Sequence, residues 1–197
     1  MEKTMTLSGQ IDKAVSLYRA MLEKHSKSFD SRAVQTALGQ SGLVDDMFSI
    51  FRSRVEAVSN LIVRTIRVNR SLTPQQVLDA TGREQHVNNS VIAGMPKGEG
   101  DEVEVVFFNL GRFISDNDLE KEYQIRGLEA ADPYSLAAVN AVDPTFGDNH
   151  PSCTHWKNSD GRWCYSSFSR WGGRRGVGVF QSDIVWDDDW WFAGLRK

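Results

Sequence analysis

All six tryptophans of this 197-residue chain fall in its last third: Trp156, Trp163, Trp171, Trp186, Trp190 and Trp191. Tyr165, Phe168, Phe180 and Phe192 accompany them, in short runs broken at Asp160-Gly161, Gly172-Gly173 and Asp187-Asp188-Asp189. Aromatic and β-branched runs interrupted by turn formers predict an antiparallel meander from Cys153 to Lys197. Its strands are expected at Cys153 to Lys157, Arg162 to Phe168, Arg175 to Phe180 and Trp190 to Leu195. Large rigid rings in such a sheet either fill a core or present a recognition surface.

The earlier part of the chain reads differently. Ser8 and Asp30 are placed to cap two helices, the first with its stripe at Ile11, Ala14, Val15, Tyr18, Met21 and Leu22. A third helical stripe runs through Leu43, Met47, Ile50, Phe51, Val55, Val58, Leu61, Ile62 and Ile66. Thr73-Pro74-Gln75-Gln76 combines a cap, an initial proline and a reciprocating glutamine, so another helix begins there. The turn Met95-Pro96-Lys97-Gly98-Glu99-Gly100 is the expected boundary between a helical region, 1–94, and an aromatic-rich module, 95–197. Val103 to Phe108 then reads as a buried strand, and Ser115 and Asp132-Pro133 as two further helix starts. The fold class expected is α+β.

Composition narrows the function classes. A net charge of −3 argues against a generally basic nucleic-acid-binding protein. Arg52, Arg54, Arg64, Arg67 and Arg70 would nevertheless form a basic stripe if residues 52–70 were one helix, which keeps nucleic-acid association as an alternative. No apolar run reaches the roughly 18 residues of a membrane span, and Met1 to Met5 lack the apolar centre of a signal peptide. With only Cys153 and Cys164, the expectation is a cytoplasmic protein with reduced thiols and no bound cofactor.

Two chemical constellations compete with recognition. His150, Cys153, His155 and Cys164 offer four nitrogen and sulfur ligand types within 15 residues, the set a zinc ion takes, although without paired spacers. Alternatively Cys164 faces His155 across a hairpin, with Asp148 or Asp160 orienting the imidazole, as a cysteine nucleophile requires. A two- or four-residue turn places Cys153, His155 and Cys164 on one face and Trp156, Trp163 and Tyr165 on the other; a three-residue turn exchanges the pairing. Among the indoles, Trp156, Trp163 and Trp191 are expected in the core. Trp171, Trp186 and Trp190 sit beside turns and, with Arg174 and Asp188, form the expected contact surface for a protein, peptide or glycan.

Two resemblances add to this reading. Met95 to Gly100 with Glu102 to Phe108, Asp132 to Asn140, and Trp190 to Lys197 resemble an uncharacterised protein family of uncultured small-genome bacteria, which implies no activity. From Val103 onward, the order of strand, two helices and meander, with Gly161-Arg162-Trp163 and the terminal Gly194-Leu195-Arg196, is similar to C-type-lectin-like domains. Leu195 stands where that terminal motif more usually has phenylalanine. The resemblance implies a lectin-like module and a binding role. It extends to the variable proteins of diversity-generating retroelements, whose ligand-facing residues lie in the last strands and loops.

Overall fold

The computed structural model describes residues 7–56 and 59–197. Val58 and the N-terminal residues 1–6 therefore lie outside the described residues. The chain divides into two compact units, Met1–Val55 and Glu56–Lys197. The first contains helices α1 (Leu7–His25) and α2 (Ser31–Leu38) and nearly all of α3 (Leu43–Glu56). Asp30 caps α2 by accepting from Ala33 N at 2.8 Å, as its position before the apolar stripe predicts.

The second unit is a mixed α+β fold. Its elements in order are β1 (Leu61–Arg67), α4 (Pro74–Asp79), β2 (Glu84–Val87), α5 (Asn89–Ala93), β3 (Glu102–Asn109), β4 (Ile114–Ser115) and α6 (Asp116–Ile125). Then come β5 (Leu128–Ala130), α7 (Pro133–Val142), α8 (Phe146–Asn149), β6 (Ser152–Lys157), β7 (Trp163–Trp171), β8 (Arg174–Gln181), β9 (Val185–Trp186) and β10 (Trp191–Arg196). Seven strands run β1-β3-β10-β6-β7-β8-β2, with β5 also paired to β10; β4 and β9 form a separate two-stranded ribbon. Most pairings are antiparallel, but β10–β6 and β2–β8 are parallel.

Local signals set the helix starts. Thr73 forms the expected capping box with Gln76, Ser115 caps α6 through Asp118 N, and Asp132 caps α7 through Ser135 N. The expected third helix is cut short. Residues 61–67 leave the helical stripe and pair as β1 with β3 over seven positions. Ile62, Val63, Thr65 and Ile66 are β-branched and fit a pleated surface at less entropic cost than a helix. With β1 and β2 in the main sheet, residues 61–94 belong to the aromatic module, so the division falls at Val55 and not at Gly94.

Two apolar layers cover the two faces of this sheet. One gathers Val105, Phe107, Leu136, Val139, Phe146, Phe168, Val177 and Val179 under α7 and α8. The other gathers Val106, Phe108, Leu119, Tyr123, Cys153, Trp186 and Phe192 under α6 and the small ribbon. Ile62 is buried in the first layer. Ile62→Ala should therefore lower the unfolding free energy by about 2–5 kcal/mol in urea titrations; a loss below about 1 kcal/mol would mean that β1 packs no side chain in the core.

Candidate functional site

The turn between β6 and β7 decides which side chains meet. Asn158 N donates to Arg162 O at 3.0 Å, leaving Ser159, Asp160 and Gly161 as a three-residue loop with Gly161 at φ 74°. The odd loop reverses the facing expected for an even one. Cys153, His155, Trp163 and Tyr165 share one face, and Trp156 and Cys164 share the other, with His155 opposite Tyr165 and Trp156 opposite Cys164. Cys164 and His155 are thus on opposite faces of the sheet, which removes the expected nucleophile pair. Burial pushes both thiols up, Cys153 well above the usual range. Asp148, the expected orienting carboxylate, accepts instead from Arg175 Nε at 2.7 Å and pairs with Arg83. Among the described residues no group of three or more His, Cys, Asp or Glu is placed to hold a metal ion.

His155 has other partners. Its Nδ1 lies 2.7 Å from Asp116 Oδ1 and its Nε2 2.9 Å from Glu120 Oε1, both on α6. Only an imidazolium donates at both nitrogens. Burial pulls the His155 pKa down, but the two hydrogen bonds and the negative charges of Asp116 and Glu120 overcome this, and the net shift is upward. Trp163 stacks on the ring with centroids 4.4 Å apart and planes 14° apart. Asp116 also accepts from Trp186 Nε1 at 3.0 Å. The arrangement clasps α6 to the sheet through a buried charge and its counter-ions. With both ring nitrogens occupied, it offers no free base to a substrate. Nothing in the sequence marks the clasp except Asp116 in the first turn of a helix.

The five expected contact residues separate. Trp186 is only 2% exposed, held by Asp116 and packed edge-on against Tyr165 at 5.3 Å, so its place beside a turn does not make it a surface ring. Trp190 is half-buried and packs edge-on against Trp186 at 5.2 Å. Asp188 is exposed, and its carbonyl oxygen accepts from Asn109 Nδ2. Trp171 and Arg174 instead face each other at the tip of the β7–β8 hairpin, across Gly172 and Gly173, both at positive φ. Of the indoles assigned to the core, Trp163 is buried whereas Trp156 and Trp191 are half-buried.

The hairpin forms an aromatic platform. The Trp171 ring lies along β8 over two glycines: a Cβ at Gly176 would fall 2.7 Å from Trp171 Cζ3, and one at Gly178 3.0 Å from Cη2. His86 of β2 meets the indole edge-on at 5.1 Å. Arg174 pairs with Glu84 of the same strand at 3.3 Å. Trp171 keeps 37% of its surface exposed. The sequence places Trp171 and Arg174 beside a turn, as the structure has them, but gives no sign of His86, which only the long-range β2–β8 pairing brings in.

The basic stripe does not form. Arg52 and Arg54 are on α3, Arg64 and Arg67 are on β1, and Arg70 lies in the loop after it, so the five share no helix face. Arg67 pairs with Glu102, and Arg70 is engaged by Asp132 and backbone carbonyls. Comparison with family models, curated proteins and solved structures returned no match.

The histidine clasp carries a pH signature. A histidine with its pKa raised contributes stability below its unfolded value of 6.5, and that contribution is lost as pH rises through the folded value. The Glu120 carboxyl is held low chiefly by the His155 hydrogen bond, so its contribution is present above 4.5 and lost as pH falls through its folded value. The stability gap between wild type and His155→Gln should therefore be widest between pH 4.5 and 6.5 and narrow on either side. Urea unfolding across that range checks this, and a gap independent of pH would show that the imidazole is neutral.

Proposed function

We propose that this protein is a non-catalytic binding module of C-type-lectin-like architecture, which takes a protein, peptide or glycan partner on the platform of Trp171, His86 and Arg174. The observation that carries the reading is the Trp171 ring. It lies on a glycine floor at the sheet surface, with over a third of its area open, while other indoles fill the layers below. A ring held flat and exposed has lost its freedom before a partner arrives, so stacking against it costs little further entropy. Arg174 and the His86 edge add polar contacts at the rim of such a patch.

The strand order supports the lectin-like part of the reading. The last strand, β10, lies inside the sheet between β3 and β6, and α6 and α7 fall between β3 and the meander β6–β7–β8. In the retroelement variable proteins that such a module is similar to, the ligand-facing residues are in the last strands and loops. Trp171 and Arg174 occupy that region of this chain. Fold-level likeness does not name a ligand; the platform carries the functional part of the argument.

The test separates contact from folding. A glycan array and affinity capture with the intact protein should give a partner whose binding weakens about tenfold or more in Trp171→Ala. Trp190→Ala, which changes the Trp186 packing and not the hairpin, should bind that partner as wild type does. Gly176→Ala should weaken binding as well, because its Cβ displaces the indole. If Trp171→Ala binds unchanged while remaining folded by circular dichroism, the platform is not the contact surface.

A further inference from the structure

The main sheet forks. β6 pairs with β10 only at Ser152–Trp191 and Cys153–Phe192, and from Gly194 onward β5 takes the place beside β10. The two branches stay tied where Thr154 Oγ1 donates to Ala131 O. Between them opens a cleft of about 600 Å³, lined by Trp156 of β6, Glu129 of β5, Val103 and Leu195 at its base, and Glu99 of the loop before β3. That volume is within the range of small-molecule sites.

One wall of the cleft is pre-formed. Arg70, with 13% of its side chain exposed, donates to Lys97 O, to Glu99 O at 3.0 Å and to Gly100 O at 2.9 Å. The same guanidinium donates to Asp132 Oδ1 at 2.6 Å and Ser135 Oγ at 3.1 Å. Gly98 takes φ 66° against Asp132, where the left-handed conformation and the close carboxylate both require glycine. The loop is thus fixed by one buried cation whose donors point away from solvent.

The charge left in the cleft has one sign. Arg70 is committed as described, and Arg196 at the cleft edge pairs with Glu104 at 2.7 Å. The carboxylates of Glu129 and Glu99 have no hydrogen-bond or ion-pair partner among the described residues. The register sets Glu129 opposite Leu195, so its side chain leaves the sheet on the Leu195 side, into the cleft. Trp156 is half-buried, and its indole has neither a hydrogen-bond partner nor a neighbouring ring among the described residues. A half-buried indole that no other ring meets, an apolar base and two uncompensated carboxylates around one cavity match an organic cation on a short apolar stem.

We propose that this cleft is a binding site for an ammonium or guanidinium group carried on an apolar stem, with Trp156 against the cation, Glu129 and Glu99 as counter-ions, and Val103 and Leu195 receiving the stem. It is independent of the Trp171 platform, because Trp156 and Trp171 lie on opposite faces of the sheet. An inorganic cation would use the carboxylates and leave the indole and the apolar base without a role.

The experiment follows the Trp156 indole N–H signal of the full-length protein while butylammonium is added, with 1-butanol as the neutral isostere, both at matched ionic strength. The expected result is a saturable shift with butylammonium and none of comparable size with butanol. Glu129→Gln should weaken binding by about threefold, and Trp156→Leu, read on the backbone amides of β5, by a similar factor. Glu129→Gln combined with Glu99→Gln should weaken it by about tenfold. Trp171→Ala should leave it unchanged. In a parallel arm, Nα-acetyl-lysine amide binding more tightly than butylammonium assigns the site to a peptide side chain, and equal or weaker binding assigns it to a free amine. Absence of saturation, an equal response to butanol, or full binding by the double glutamine variant overturns the proposal; both glutamates are exposed, so misfolding does not explain the last result.

Discussion

The fold turns on the position of β10. The last six-residue strand of the chain occupies the interior of the sheet, antiparallel to β3 over five positions and parallel to β6 over two, and it then receives β5. Backbone groups of three other strands, β3, β5 and β6, therefore depend on this last strand. The fit is close: a Cβ at Gly194 would come within 3.1 Å of Glu129 O, Leu128 Cδ1 and Tyr123 Cε1. Tyr123 Oη donates to Ala193 O at 2.8 Å, which fastens α6 to the same strand. Contacts of such sequence separation carry a loop-closure cost that local contacts do not.

Around that strand, charged groups hold what apolar packing alone would leave adjustable. The His155 imidazolium between Asp116 and Glu120 fixes α6 against β6, and Arg70 fixes the loop before β3 against α7. A buried charge of this kind adds little net stability over an apolar replacement, but removing one partner leaves the other desolvated and unpaired. Each clasp therefore specifies geometry. The first sets the depth of the layer containing Trp163 and Trp186; the second shapes a wall of the cleft at the sheet fork.

The indoles divide according to strand register. Trp186, with Trp190 at its margin, belongs to the layer under α6, and Trp163 stacks on His155 on that face; Trp191 packs against the opposite layer, while half-buried Trp156 and exposed Trp171 lie on opposite sides of the sheet. Trp171 stays at the surface because the glycines beneath it give the ring a floor without side chains to hide it. Concentrating tryptophan in one segment thus fills parts of the core and leaves Trp171 at the surface.

The sequence determined whatever depends on neighbours along the chain. The caps at Asp30, Thr73, Ser115 and Asp132, the glycine turns at Gly161 and Gly172-Gly173, and the strand character of the aromatic segments follow from local hydrogen bonds and backbone dihedrals. Trp171 and Arg174 were legible for the same reason, since a two-residue turn places its flanking residues side by side. Tertiary structure decided which face each side chain joins, because a single extra residue in the Ser159-Asp160-Gly161 loop exchanges the partners of every residue on β6. It alone turned 61–67 from a helical stripe into β1, brought His86 to Trp171, buried Trp186, and joined His155 to Asp116 and Glu120. Those outcomes rest on pairings between distant strands, whose free energy no local window of sequence contains.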